Sequence, residues 1–242
     1  MSQMNWDREV DVLVVGTGNG GLTAAVCNWE MGTKDVLIIE KQDKVGGTSA
    51  TSGGGIWIPN SHYAKEAGAE DNPQDARAYL MNTLFGEDVP EEMIDIYLEK
   101  SPEMLKFLHD RTDVRYESLA EYPDYYTNME GARAGHRSLE PAPIMASELG
   151  ENWKNMTWTH FMMRMFNRIH FTQVEAHLLM VQLPGWKKLL ARLMWDYIRD
   201  IPWRLKTPIS RRLACGSAGV ARLYLSVLKR EIPLEFNTQM VE

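Results

Sequence analysis

Two short apolar runs frame the start of the chain. Val10–Val15 (VDVLVV) is rich in β-branched residues and followed by glycines, and Val36–Glu40 (VLIIE) repeats the pattern after a helix-like stretch. Continuous runs of this kind predict strands buried on both faces of a parallel sheet. Between them, Gly16–Gly21 is glycine-rich and Leu22–Met31 reads as a helix ending at Gly32. Strand, glycine turn, helix and strand make a βαβ unit.

The pattern then changes. Residues 42–60 form a second glycine- and serine-rich segment with no apolar face to bury. Asn72 predicts a helix cap, with Pro73 at the first position of a helix running to about Phe85. Glu91–Lys100 and Pro102–Asp110 read as two more helices, and Val114–Leu119 as a short strand. Residues 120–150 are loop-like; residues 155–206 are helical and heavy in Trp and Met. Within them Trp186, Leu189, Leu190, Leu193, Met194, Tyr197, Ile198 and Ile201 fall on one helical stripe, with Lys187, Lys188, Arg192 and Arg199 off it. Packing on the rest of the protein and contact with an anionic membrane surface both fit that stripe. Gly219–Lys229 predicts a last helix and Ile232–Asn237 a last strand. The expected fold class is α/β: a Rossmann-like nucleotide-binding unit, incomplete, opening at residues 1–70 and resuming at 213–242, around a largely helical segment over 71–212.

Gly16-Thr17-Gly18-Asn19-Gly20-Gly21 fits G-x-G-x-x-G. Gly16 turns the chain off the strand, Gly18 lets the backbone approach a pyrophosphate, and Gly21 lets the helix pack closely on the sheet. The helix start offers unpaired N–H groups and a positive dipole end. Glu40, ending the second strand, can accept hydrogen bonds from ribose hydroxyls and would repel a 2′-phosphate, which disfavours NADP. In a nicotinamide domain a further helix would follow promptly. Here Gly46–Gly55 supplies backbone N–H groups and small hydroxyls suited to a second polar ligand surface, which favours a flavin.

Charge and cysteine content narrow the classes further. A net charge of −7 argues against a general nucleic-acid binder. Cys27 and Cys215 stand far apart in no metal-ligand spacing. The polar start carries no secretory signal, and no apolar run is long enough to span a bilayer. These features lead us to expect a cytoplasmic protein that uses no metal. The six histidines, His62, His109, His136, His160, His170 and His177, show no paired spacing.

The pattern VVGTGNGGLTAA…VLIIEK…VGGTSATSGGGIWIP resembles the flavoprotein subunits of fumarate reductase and succinate dehydrogenase. Within that superfamily it is most similar to the 3-ketosteroid 1-dehydrogenases, and the likeness continues through YPDYY, PGW and RRLACGSAGVARLYLSVLKREIPLEFNTQMVE. The resemblance implies FAD as cofactor. Gly16, Gly18, Asn19, Gly20 and Gly21 would hold the pyrophosphate, and Glu40 the ribose with Lys41 beside it. Gly46, Gly47, Thr48, Ser49, Ala50, Ser52, Gly53 and Gly54 would line the flavin side. Met240 or Val241 would pass the adenine. Flavinylated relatives carry a histidine in the second loop; none lies between Gly46 and Asn60, so non-covalent FAD is expected.

The implied reaction removes a proton beside a ketone of a bulky apolar substrate such as a 3-ketosteroid, with an external acceptor taking the electrons. In the family these roles fall largely to tyrosines. An unperturbed tyrosine, with a pKa of about 10, is a poor base and needs neighbours that favour the phenolate. Tyr125 matches the family's first catalytic tyrosine, as a support for the base, with Tyr126 the next candidate; packing of a loop is the alternative. A small dicarboxylate as substrate would call for several arginines, and residues 120–150 offer only Arg133 and Arg137. A non-catalytic nucleotide-binding remnant is a third reading. The family's enzymes need roughly twice this length, so we expect an N-terminal part of such an enzyme, inactive alone.

Overall fold

The computed structural model describes residues 8–241. β1 (Val12–Val15), α1 (Asn19–Glu30) and β2 (Val36–Ile39) form the expected βαβ unit. β1 and β2 pair in parallel, with Val12 opposite Val36 and Val15 opposite Ile39. All four residues of β2 are buried, because β2 is the central strand of the sheet. The chain next forms α2 (Gly47–Thr51), β3 (Ile56–Trp57), α3 (His62–Glu66) and α4 (Pro73–Asn82). α4 begins as predicted, with the Asn72 side chain accepting from the Gln74 N–H.

α5 (Glu91–Arg111) departs from expectation: it is one helix with Pro102 inside it. Proline removes one helical hydrogen bond and crowds the preceding turn, at a cost of about 3 kcal/mol. Ile94, Leu105 and Leu108 are buried along the same helix and offset that cost by packing. β4 (Tyr116–Ser118) lies within the strand expected over Val114–Leu119, and the stretch expected to be loop-like holds β5 (Ser138–Pro141) and β6 (Ile144–Met145). β5 lies between β3 and β4, antiparallel to both. The stretch expected to be helical opens instead with 3₁₀ turns and a small hairpin, β7 (Arg164–Met165) and β8 (Ile169–His170). Then come α6 (Gln173–Met180), α7 (Trp186–Arg199), α8 (Ile201–Arg204) and β9 (Arg212–Leu213), which pairs with β6.

α9 (Cys215–Lys229) starts four residues before the predicted point and is buried along most of its length. Its apolar faces pack on α1 and α2, joining Leu22, Ala25 and Val26 to Val220, Ala221 and Leu223 in the main core. β10 (Leu234–Glu235) returns to the sheet beside β2, in the order β1-β2-β10. The residues after it are thereby brought to the end of β2, where the Thr238 N–H donates to the Glu40 carbonyl.

The stripe on α7 divides. Leu189 and Leu193 are buried against Ile169 in a small core of their own, whereas Ile198 and Ile201 stay exposed beside Trp195 and Leu205. Among the described residues, no helix is long and apolar enough to cross a membrane.

Candidate functional site

Gly16 leaves β1 with φ +93°, a conformation that favours glycine. A Cβ on Gly21 would lie 2.1 Å from the Gly16 carbonyl oxygen, so this glycine is what lets α1 start flush against the turn. Gly18 has room for only a short group: a Cβ there would meet Ser49 Oγ at 3.2 Å.

The second loop is fastened to the first. Ser49 Oγ accepts from the Asn19 N–H at 3.1 Å, and Thr17 Oγ1 accepts from the Gly46 N–H at 3.1 Å. Ser52 Oγ donates to the Ser49 carbonyl at 2.8 Å and accepts from the Gly54 N–H at 3.0 Å. On its other side lies the start of α9. The Gly216 N–H donates to the Ser52 carbonyl at 3.0 Å, and a Cβ on Gly216 would come within 2.1 Å of the Ser49 carbonyl oxygen. The loop is therefore clamped between two helix starts.

Glu40 is buried at the end of β2. Its Oε2 accepts from Thr17 N at 3.0 Å and Thr17 Oγ1 at 2.5 Å, and its Oε1 from Gln42 N at 3.0 Å. Burial opposes its charge, but the hydrogen bonds from the Thr17 side chain and from the Gln42, Thr17 and Lys41 backbone hold its pKa below the usual value. It is a carboxylate at neutral pH with acceptor capacity left over.

A cavity of about 600 Å³ opens here, within the range of small-molecule sites. Gly16, Gly18, Glu40, Lys41, Gly47 and Thr48 line it, with Val15, Thr17, Ile39, Gln42, Thr51, Thr157 and Thr238. Asn19, beside Gly18, has a buried Oδ1 with no partner. A wall of backbone, small hydroxyls and a carboxylate at the start of α1 fits a nucleotide diphosphate with its ribose.

Several expected contacts sit elsewhere. Gly20, Gly21, Ser49, Ser52, Gly53 and Gly54 do not line this cavity, and the last four form the clamped loop behind it. Gly46 (φ +117°) and Ala50 pack together beneath the loop, and Ala50 is fully buried rather than presented to a ligand. Met240 and Val241 are 62% and 82% exposed; Thr238, whose N–H donates to the Glu40 carbonyl, occupies the cavity edge instead. Thr17 was legible as the hydroxyl of G-T-G opposite Glu40. Thr157 carried no sequence signal, because only the bridge between Val45 and Met156 brings it there.

The tyrosine loop is anchored just beyond the second glycine loop. Trp57, leaving it on β3, donates from Nε1 to Asp124 Oδ1 at 2.7 Å. Asp124 Oδ2 accepts from Arg137 Nη1 at 2.8 Å and from the Arg133 N–H at 2.9 Å. Arg137 also grips Asp71 through Nε and Nη2 and donates to the Gly131 carbonyl. Burial works against the Asp71 charge, yet the Arg137 guanidinium holds its carboxyl below the usual range. The two arginines considered for a dicarboxylate are thus committed internally: Arg137 is 1% exposed, and Arg133 pairs with Asp75 at 2.9 Å. Tyr125 and Tyr126 project outward, 88% and 38% exposed, with their rings 5.1 Å apart and Tyr126 against Phe85. His109 holds the Tyr63 hydroxyl at 2.7 Å. Burial pushes the Cys215 thiol up to about 12, so it is inert at neutral pH.

Residues 11–242 match the family described as FAD binding domain. The chain belongs to that family, and its cofactor is FAD. This FAD-binding chain is similar to 3-oxosteroid 1-dehydrogenase of Comamonas testosteroni, 32% identical over 242 residues, covering 98% of this chain and 41% of the relative. The crystal structure of 3-ketosteroid delta1-dehydrogenase from Sterolibacterium denitrificans, solved with 1,4-androstadiene-3,17-dione, superposes with a TM-score of 0.88 at 35% identity, covering 94% of this chain and 40% of that one. A flavocytochrome c3 fumarate reductase shares the fold, with a TM-score of 0.56 at 16% identity over 98% of this chain and 28% of that one. The chain thus spans about two fifths of the length of the steroid enzymes it matches.

Proposed function

We propose that the protein is an FAD-dependent dehydrogenase of the 3-ketosteroid Δ1 type, taking a proton and a hydride from adjacent carbons beside a ring ketone. The observation that carries this reading is the tie from Trp57 to Asp124, which fixes the tyrosine loop to the strand leaving the flavin loop. Bound FAD supplies the hydride acceptor. The first glycine loop and the start of α1 hold its diphosphate, and Glu40 takes a ribose hydroxyl. Tyr125 supports the proton-abstracting base, with Tyr126 packed edge-on beside it. The similarity to steroid enzymes along nearly the whole chain supports a bulky apolar ketone as substrate. The internal pairing of Arg133 and Arg137 weighs against a small dicarboxylate.

The test is turnover by the full-length protein with FAD and an artificial electron acceptor. A 3-ketosteroid should drive acceptor reduction and a dicarboxylate should not. Turnover of the dicarboxylate alone would reverse the reading, and failure to take up FAD would leave the non-catalytic remnant.

The reading includes a cytoplasmic location and a peripheral contact with anionic lipid, which suits a substrate that partitions into membranes. Exposed Trp195, Ile198, Ile201 and Leu205, with Lys187 and Lys188 on the same segment, support the contact. Co-sedimentation with anionic vesicles that is lost in Lys187→Glu/Lys188→Glu is expected; no binding at low salt leaves α7 as a packing element.

A further inference from the structure

The second glycine loop has a third fastening, at its far end. Gln173, the first residue of α6, donates from Nε2 to the Gly53 carbonyl at 3.3 Å. The same nitrogen would stand 3.1 Å from a Cβ on Gly55, and the Met163 methyl group 3.5 Å from a Cβ on Gly53. Gly55 does not have a left-handed φ. Its turn does not call for glycine; the closeness of the Gln173 amide does.

The Gln173 side chain is not spent on its own helix. The first N–H groups of a helix have no partner within it. In α6 the Thr172 and Glu175 side chains each accept from the other's N–H, as a capping box. The Gln173 and Val174 N–H groups donate to Glu140 at 2.6 and 3.3 Å, and the Ala176 N–H to the Thr172 carbonyl at 2.8 Å. Every N–H from Thr172 to Ala176 is therefore matched without the Gln173 amide.

The start of α6 is also a fixed platform. Arg192 and Arg212 each pair with Glu175 at 2.9 Å. Glu140 is fully buried on β5; burial pushes its pKa up, and the N–H groups of Gln173 and Val174 oppose that shift. Leu139, next to it, pairs with Ile56 at the exit of the glycine loop. β5 thus holds the start of α6 and the end of the loop against each other.

We propose that Gln173 is a positioning residue for the flavin: its amide sets the Gly53–Gly55 stretch, and through it the surface that the second loop offers the flavin ring. That the second loop meets the flavin is part of the proposed function. Thr17 and Asn19 hold the start of the loop, α9 its middle and Gln173 its end. Gln173 does not line the nucleotide cavity, so this tie can be cut without touching the diphosphate's place.

The test compares full-length wild type, Gln173→Met and Gln173→Glu, each loaded with FAD. Methionine keeps the length of the side chain without its N–H; glutamate keeps its shape but turns an acceptor toward the Gly53 carbonyl. In both variants hydrogen exchange of the Gly54 and Gly55 amides should quicken about fivefold. The flavin's absorption maxima and midpoint potential should move with it, and further in Gln173→Glu. Thermal unfolding checks that the variants fold. Exchange, spectrum and potential all unchanged would overturn the proposal, whatever happens to the melting temperature. Faster exchange with an unmoved spectrum and potential would overturn it too, leaving Gln173 a packing residue. Wild type that holds FAD but turns over no 3-ketosteroid would sink the steroid reading and leave this one to be judged, because neither readout needs turnover.

Discussion

Two buried carboxylates, one in each loop region, show how the same chemistry serves different ends. Glu40 is held by neutral donors, the Thr17 hydroxyl and backbone N–H groups. They stabilise its charge without cancelling it, and it borders an open cavity. Asp124 is held by the Arg137 guanidinium, the Trp57 indole and the Arg133 N–H, and it does not line the nucleotide cavity. Its charge is neutralised and its acceptor sites are used. The first carboxylate keeps acceptor capacity beside a cavity, which suits the binding role proposed for it; the second is a pin. The first glycine loop and Glu40 turn polar groups toward an open cavity, whereas the tyrosine end turns its charges inward and its tyrosines outward.

The sharpest way to break this comparison is to remove the pin's partner. Arg137→Met leaves Asp124 buried without its cation and Asp71 with only the longer contact to Arg133 at 3.6 Å, and is expected to cost about 3–5 kcal/mol of stability in urea unfolding. A cost below about 1 kcal/mol would mean that the cluster is solvated and Asp124 is no pin.

The glycines of the first loop separate binding from folding. Gly21→Ala forces α1 off the Gly16 carbonyl and should cost about 1–3 kcal/mol of stability. Gly18→Val should instead leave a folded protein that no longer takes up FAD, because its side chain fills the diphosphate's place. Flavin absorbance and thermal unfolding measured on both variants check this; equal flavin content in Gly18→Val and wild type refutes the site.

Glu40→Gln should weaken FAD binding by about 1–3 kcal/mol through lost charge-assisted hydrogen bonds. Because the folded pKa of Glu40 is lowered, its contribution to stability is complete above the ordinary carboxylate value of about 4.3 and fades as pH falls through the lower folded value. Unfolding titrations should show a shallower acid slope in the variant. An identical slope and affinity would make Glu40 a spectator.

The smallest effect on stability belongs to the outward tyrosine. Tyr125→Phe should change unfolding by no more than about 0.5 kcal/mol, since the side chain is exposed. In the full-length protein it should lower steroid turnover severely while the flavin stays bound. Damage from Tyr126→Phe instead would move the role by one residue, and turnover unchanged in both would leave the tyrosines as packing.

The βαβ unit, the capped start of α4 and the FAD assignment were legible because each rests on local chemistry. An apolar run, a cap residue or a glycine needed at a turn acts within a few residues of itself. Other features depended on contacts between distant parts of the chain. Pro102 reads as a helix break until the buried face of α5 is seen to outweigh it. Ala50 reads as part of a ligand loop until Val220 is found near Gly46, the partner against which Ala50 packs. Arg137 reads as a possible substrate clamp until Asp71 and Asp124 meet around it. The sequence by itself determined the dinucleotide turn and the family resemblance. Only the tertiary structure decided which carboxylate stays free to bind and which is spent on holding a loop, because neutralisation and desolvation depend on neighbours that no local pattern records.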